Sequence, residues 1–187
     1  MPLFASPTLH SDLITALELQ IAEVFHTQPG EKSEIDVIVG LESRGFIFGP
    51  TLALRLGAAF VPVRKKGKLP GPCETESFEK EYGADHFQMQ SDAIKKGQKV
   101  VIADDIIATG KILATPMSAM SYIGRWLTLE TGGSAAAAGR LVRKLEGDLL
   151  GYLFMMELDF LNGRAKLDAP VHTLFSGQEE SLKKDDS

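Results

Sequence analysis

An α/β fold with a mostly parallel central sheet flanked by helices is predicted by three observations. Residues 35–63 read as strand, helix, strand, which is a parallel unit, because two strands joined through a helix run the same way. Lys99 to Ala103 is a second apolar run that leads straight into Asp104-Asp105, and a small-residue helix follows later. The chain also shows no internal repeat, no linker and no change of composition that would divide it, so one domain over 1–187 is expected.

Each element has its own signal. Leu9, Leu13, Leu17, Ile21 and Val24 or Phe25 recur at helical spacing, with Ser6-Pro7 or Ser11-Asp12 available as the start. Pro29-Gly30 ends that helix, and Ile35 to Gly40 reads as a short buried strand. Phe46 to Leu56 returns to helical spacing and stops at Gly57, and Ala58 to Val63 is the next strand. From Arg64 to about Gly97 the sequence turns polar, which predicts a mobile functional loop or a solvated excursion. Beyond the Asp pair, a helix is expected from Gly133 to Leu145, then a strand at Leu149–Glu157, a short helix near Phe160–Leu167 and a strand at Val171–Phe175. Residues 177–187 form a polar tail.

Composition excludes several functions. The 187 residues are 44% hydrophobic and 24% charged, the ordinary range for a globular domain. No apolar run approaches the roughly 18 residues that span a bilayer, and Met1-Pro2-Leu3-Phe4 lacks the basic start of a signal peptide, so a soluble intracellular protein is expected. The single cysteine, Cys73, excludes an internal disulfide and a thiolate metal cluster. A net charge of −5 argues against a general nucleic-acid or anionic-membrane surface. Phosphate chemistry must therefore come from local basic clusters.

Three anion-directed features end three strands. Ala103-Asp104-Asp105 followed by Ala108-Thr109-Gly110 places two carboxylates, acceptors for hydroxyl groups, beside a loop whose amides face outward. The helix start at Gly133-Ser134-Ala135 adds further amides and a dipole, a cradle for phosphate. Acceptors for a diol next to a phosphate cradle point to a ribose phosphate, against the alternative of a solvated acidic pair. Gly40-Leu41-Glu42-Ser43-Arg44-Gly45 is one residue too long for a hydrolase nucleophile elbow and lacks its His and Asp partners, so Arg44 reads as an anion contact or as half of an ordinary ion pair. Arg64, Lys65, Lys66 and Lys68 suit a polyanion such as pyrophosphate, with a solvated basic turn as the competing reading. His10, His26, His86 and His172 lack metal-ligand spacing, Gly110-Lys111 lacks the rest of a P-loop, and no Gly-x-Gly-x-x-Gly follows a strand.

These residues carry a family likeness. Val39 to Phe46, Val61 to Gly71, Glu79-Lys80-Glu81-Tyr82-Gly83 and Val100 to Gly110 resemble the adenine phosphoribosyltransferases in their fungal form, and the likeness continues through Met156–Gly163 and Ala169–Phe175. The resemblance implies the type I phosphoribosyltransferase fold with a mobile lid loop over about Gly71–Gln90. It also implies transfer of phosphoribosyl from 5-phosphoribosyl-1-pyrophosphate (PRPP) to adenine, giving AMP and pyrophosphate, in a cytosolic homodimer that uses Mg²⁺ bound mainly through PRPP or pyrophosphate. By motif position, Asp104 and Asp105 hold the ribose hydroxyls, and Ala108, Thr109, Gly110, Gly133 and Ser134 cradle the 5′-phosphate. Ser43, Arg44, Arg64 and Lys68 take the pyrophosphate, with a cis peptide at Ser43-Arg44. Glu81 assists proton loss from adenine, Tyr82 belongs to the lid, and Leu158 packs on the base.

Two departures from the family pattern stand out. The family's phosphate loop runs Ala-Thr-Gly-Gly-Ser without a break, whereas here Lys111–Gly132, 22 residues including Trp126, separates its halves. A retained intron is one origin, since Gly110-Lys111 can be encoded with a GTAAG donor and Thr131-Gly132 with an AG acceptor. A genuine inserted helix starting at Thr115-Pro116 is the rival. The resemblance further implies about two dozen residues ahead of Pro2-Leu3-Phe4 that hood the adenine ring. A catalytically impaired paralogue that keeps the fold and binds nucleotide or a partner subunit is the alternative function, and transfer to another base a third.

Overall fold

A computed structural model describes residues 2–25, 33–80, 83–107, 132–157 and 163–176. Helix α1 (Pro2–Ala5) is a single turn that leads into α2 (Pro7–Val24). Ser6 caps α2 by accepting a hydrogen bond from the Leu9 amide at 3.4 Å, and Pro7 occupies the first turn, where a missing N–H costs nothing. Strand β1 (Val37–Leu41) is followed by α3 (Gly45–Leu56) and β2 (Ala59–Lys65), the expected parallel unit. Gly57, with φ of 66°, closes α3 in the left-handed conformation that glycine adopts without a Cβ penalty.

The polar stretch after β2 is a hairpin rather than a loop. Strands β3 (Cys73–Lys80) and β4 (Gly83–Gln90) pair antiparallel along their whole length, and β4 joins the sheet through Arg64 opposite Gln88. Phe78, Phe87 and Met89 are the reason: they are buried against the rest of the core, and the polar residues between them face outward. The expected lid is therefore strand for most of its length, and a lid loop in the strict sense is corrected to the hairpin. Glu81 and Tyr82, which fall between the two strands in sequence, lie outside the described residues.

Strand β5 (Lys99–Ile107) runs through the Asp pair instead of ending before it. Helix α4 (Gly133–Lys144), β6 (Asp148–Glu157), a 3₁₀ turn at Gly163–Lys166 and β7 (Val171–Phe175) complete the described chain. The seven strands lie in the order β3-β4-β2-β1-β5-β6-β7, parallel from β2 through β7 with the antiparallel hairpin at one edge.

Strand alternation splits the core in two. Val37, Val39, Val100, Ile102, Tyr152 and Phe154 face α4 and the hairpin, whereas Ile38, Val101, Ala103 and Leu153 face α2 and α3. Burial of each large apolar side chain stabilises the fold by about 1.5–3 kcal/mol. Leu9, expected in the core, is 46% exposed, and Ile14 takes the inward position instead. The outer strand β3 is tied to α4 by Arg140, whose Nε donates to Glu76 at 3.1 Å, and by Lys144, 3.1 Å from Glu74. Charged residues along an outer strand also discourage pairing with another chain.

Close approach of α3 to the sheet sets the position of its first residues. A Cβ on Gly45 would stand 2.7 Å from the carbonyl oxygen of Ala103, a backbone atom fixed in the middle of β5. Gly45→Ala is expected to destabilise the protein by about 1–3 kcal/mol, because α3 must move off β5 to admit the methyl group. Urea titration monitored by circular dichroism checks this, and an unchanged midpoint would mean that the helix yields without cost.

Candidate active site

Parallel pairing brings the carboxyl ends of four strands level with one another. Leu41 of β1 is opposite Val63 of β2, Gly40 opposite Ala103 of β5, and Ile107 of β5 opposite Glu157 of β6. The residues at or just beyond these points are Glu42-Ser43-Arg44, Arg64-Lys65, Asp104-Asp105 and Glu157. In an open α/β sheet this edge is where ligands bind.

Arg44 immediately precedes α3, and its Nε lies 2.8 Å from Oδ2 of Asp105. Asp105 is 3% exposed while Arg44 is 39% exposed, so the carboxylate is sealed and the guanidinium reaches solvent. Among the described residues, both oxygens of Asp105 are buried without a well-formed hydrogen bond. Asp104 Oδ1 accepts a hydrogen bond from the Asp105 amide at 2.9 Å. Burial pushes both carboxyls above the usual range. For Asp104 the neighbouring Asp105 charge adds to the rise, and for Asp105 the Arg44 guanidinium opposes it.

Arg64 is held differently. Its Nε and Nη2 donate to the two oxygens of Glu42 at 3.3 and 3.2 Å, and its Nη1 donates to the Lys68 carbonyl at 3.2 Å. Glu42 also accepts from the Lys65 amide at 3.0 Å, and its own amide donates to the Val63 carbonyl at 3.0 Å. This two-pronged arrangement fixes the guanidinium plane, which a lysine could not reproduce. Lys68 lies exposed in the turn after β2, its amide donating to the Lys65 carbonyl at 3.2 Å, so its ammonium is not fixed by that contact. Ser43 follows a cis peptide bond, which joins Glu42 and Ser43 and not Ser43 and Arg44 as the resemblance implies.

Gly133 and Ser134 form the first turn of α4, where no side chain caps the helix, and Ser134 is buried. First-turn amides have no intrahelical acceptor, so they remain available to an anion. Ala108, Thr109, Gly110, Leu158, Glu81 and Tyr82 lie outside the described residues.

Sequence reasoning missed two acids. Glu42 stands inside a motif that was read for its serine and arginine, yet β1 and β2 end side by side and an acid there has Arg64 as its neighbour. Glu157, 6% exposed, receives both Nε and Nη2 of Arg164, at 2.8 and 2.6 Å, and Arg164 also donates to the Val171 carbonyl at 2.7 Å. That clamp joins the end of β6 to β7 beside the site, and its only sequence signal was an acid ending an apolar strand.

Burial raises the Glu42 carboxyl, but hydrogen bonds from Arg64 and the Lys65 amide outweigh it and bring the group below its usual value of 4.5. A lowered folded-state value contributes stability that is present above the unfolded value and is lost as pH falls through the folded one. Glu42→Gln is therefore expected to be less stable than the unsubstituted chain at neutral pH, with the gap closing below about pH 4.5. Denaturant midpoints at several pH values test this; a gap that persists in acid would assign the loss to packing.

The comparisons with known proteins agree with this geometry. The phosphoribosyl transferase domain family matches residues 13–122. The adenine phosphoribosyltransferase of Debaryomyces hansenii is 51% identical over 183 residues, covering 98% of this chain and 82% of that protein. Adenine phosphoribosyltransferase 1 of Saccharomyces cerevisiae is 53% identical, covering 98% and 84% respectively. A crystal structure of adenine phosphoribosyltransferase from S. cerevisiae, complexed with an imino-altritol bisphosphate and adenine, superposes with a TM-score of 0.76 at 54% identity over 93% of this chain and 84% of that one. A bacterial adenine phosphoribosyltransferase from Rhodothermus marinus gives a TM-score of 0.73 at 41% identity, over 95% of this chain and 84% of that one. With half of its residues identical to fungal relatives along almost its whole length, and with acids and arginines gathered where the fold binds ligands, this chain belongs to the phosphoribosyltransferase family, among its adenine phosphoribosyltransferases.

Proposed function

We propose that this chain transfers the 5-phosphoribosyl group of PRPP to adenine, releasing pyrophosphate and forming AMP, as a purine-salvage enzyme. The observation that carries the reading is the gathering of Asp105, Arg44, Glu42 and Arg64 along one sheet edge, in a chain about half identical to fungal adenine phosphoribosyltransferases.

In that reaction the bond from ribose C1 to the pyrophosphate oxygen breaks and the bond to adenine N9 forms. Arg64, its guanidinium fixed by Glu42, meets charge that grows on the departing pyrophosphate, and because it is already oriented it needs no reorganisation at that moment. Lys68, Ser43 and Arg44 extend the contact to the rest of the polyanion. Asp104 and Asp105 accept from the ribose hydroxyls; among the described residues the oxygens of Asp105 have no well-formed hydrogen bond and can accept one. Ala108, Thr109, Gly110, Gly133 and Ser134 cradle the 5′-phosphate, Glu81 receives the N9 proton, Tyr82 closes over the substrates and Leu158 packs on the base.

Mg²⁺ belongs to the same proposal. The ion's ligands are chiefly the oxygens of PRPP and pyrophosphate, since Mg²⁺ keeps most of its waters and takes few protein ligands when phosphates are present. The acceptor oxygens of Asp105 suit either a ribose hydroxyl or a water of a hydrated cation. When bound, Mg²⁺ neutralises charge on the leaving group. A cytosolic homodimer completes the proposal; no described helix is long and apolar enough to cross a membrane.

A second reading is favoured by one feature, the 22 residues that divide the phosphate loop: the chain keeps the fold and binds nucleotide or a partner subunit without turnover. Formation of labelled AMP from adenine, PRPP and Mg²⁺ by the 187-residue chain separates the two. Turnover supports the enzyme, whereas AMP binding without turnover supports the second reading.

A further inference from the structure

The two arginines at the sheet edge are held by acids in opposite ways. Arg64 and Glu42 share two hydrogen bonds, and both are braced by backbone groups of Lys65 and Lys68, so nothing in that pair is left wanting a partner. Arg44 and Asp105 share an ion pair at 2.8 Å, and among the described residues both Asp105 oxygens are buried without a well-formed hydrogen bond. A sealed carboxylate in that state is costly and accepts any donor offered to it. Arg44, 39% exposed, is the end of the pair that an incoming anion reaches first.

We infer that Arg44 and Asp105 form an exchangeable pair that occupies the empty site, in which each residue neutralises the other until a ligand supplies both replacements. The inference rests on the function proposed above. Pyrophosphate draws Arg44 away and leaves Asp105 buried and unpaired; a diol then supplies the missing donors. A ligand that carries both groups on one molecule makes the two exchanges together. A pyrophosphate without a ribose makes only the first, and loses affinity for that reason.

The consequence is a substitution that weakens one ligand and tightens another. Asp105→Asn removes the charge that competes for Arg44, so free pyrophosphate is expected to bind more tightly while PRPP binds more weakly. Asp104→Asn makes the same carboxyl-to-amide change at the adjacent residue, which Arg44 does not pair with, and measures the general electrostatic gain. Because Arg44 is partly exposed and screened, the excess of Asp105→Asn over Asp104→Asn is expected to be about fivefold to tenfold in the pyrophosphate dissociation constant.

Isothermal titration of Mg²⁺-saturated pyrophosphate into the full chain and both variants reads this directly. In the unsubstituted chain, NMR of the arginine Nε–H signals gives a second reading that needs no stable Asp105 variant. The Arg44 signal, assigned by its loss in Arg44→Lys, is expected to shift when pyrophosphate is added. An Asp105→Asn affinity equal to or weaker than that of Asp104→Asn, or an unmoved Arg44 signal at saturating pyrophosphate, overturns the exchange and leaves the function standing. Failure of the unsubstituted chain to bind pyrophosphate, PRPP and AMP overturns both.

Discussion

Removal of Lys111–Gly132 is expected to raise kcat/KM for AMP formation by about 10²-fold or more over the chain that contains it. The deletion joins Gly110 to Gly133 and makes Ala108-Thr109-Gly110-Gly133-Ser134 continuous. The described flanks are suited to that junction. Strand β5 extends to Ile107, and α4 begins at Gly133 with no side chain capping its first-turn amides and with Ser134 buried at its start. A phosphate cradle works by holding consecutive amides in one geometry, and a misplacement of about 1 Å in a positioning group can cost 10²-fold in rate. Stability is a separate quantity: each doubling of a loop's length costs only about 0.6 kcal/mol in closure entropy. The deleted chain is therefore expected to gain activity with little change in its unfolding midpoint. Equal activity in both chains would mean that the cradle reforms around the insertion. Sequencing the transcript across the junction decides separately whether those bases are a retained intron.

How far the sequence foretells the structure depends on which interaction sets each feature. The strand–helix–strand unit at 35–63, the helix at 133–145 and the last strand are legible because apolar spacing and glycine punctuation are local signals, and local signals survive without knowledge of neighbours. The hairpin is not legible for the opposite reason. Cys73–Lys80 has Phe78 as its one large apolar residue, too little alternation to announce a strand, and it becomes one by pairing with β4 and by burial of Phe78 against Phe87 and the core. The same split runs through the site. Arg44, Arg64 and the Asp pair stand out as charges at strand ends, whereas the partner of each arginine comes from a different strand and appears only once register is known. Glu42 meets Arg64 because Leu41 and Val63 are level, and Asp105 meets Arg44 because Gly40 and Ala103 are. The cis bond lies at Glu42-Ser43, one peptide before the position that the family resemblance implies.

Arg64→Ala is expected to lower kcat by about 10²–10³-fold in an active form of the chain, the range seen when one preoriented stabiliser of transition-state charge is removed. Two features make this residue the place for so large an effect. Its guanidinium is locked by three contacts before any ligand arrives, so its stabilisation of pyrophosphate is undiminished by ordering entropy. Its partner Glu42 remains partly buried after the truncation, with the Lys65 amide still bound, and would turn a negative charge toward the departing pyrophosphate where a positive one stood. Arg64→Lys restores the charge without the two-pronged contact to Glu42, so it is expected to recover only part of the rate. The double variant Arg64→Ala, Glu42→Gln removes the charge of the acid left without its arginine and is expected to be less impaired than Arg64→Ala alone. Rapid-quench measurement of AMP formation in a single turnover separates this step from product release. A single-turnover rate unchanged in Arg64→Ala, with only the KM for PRPP raised, would confine Arg64 to binding and assign the leaving-group charge to Lys68 and Arg44.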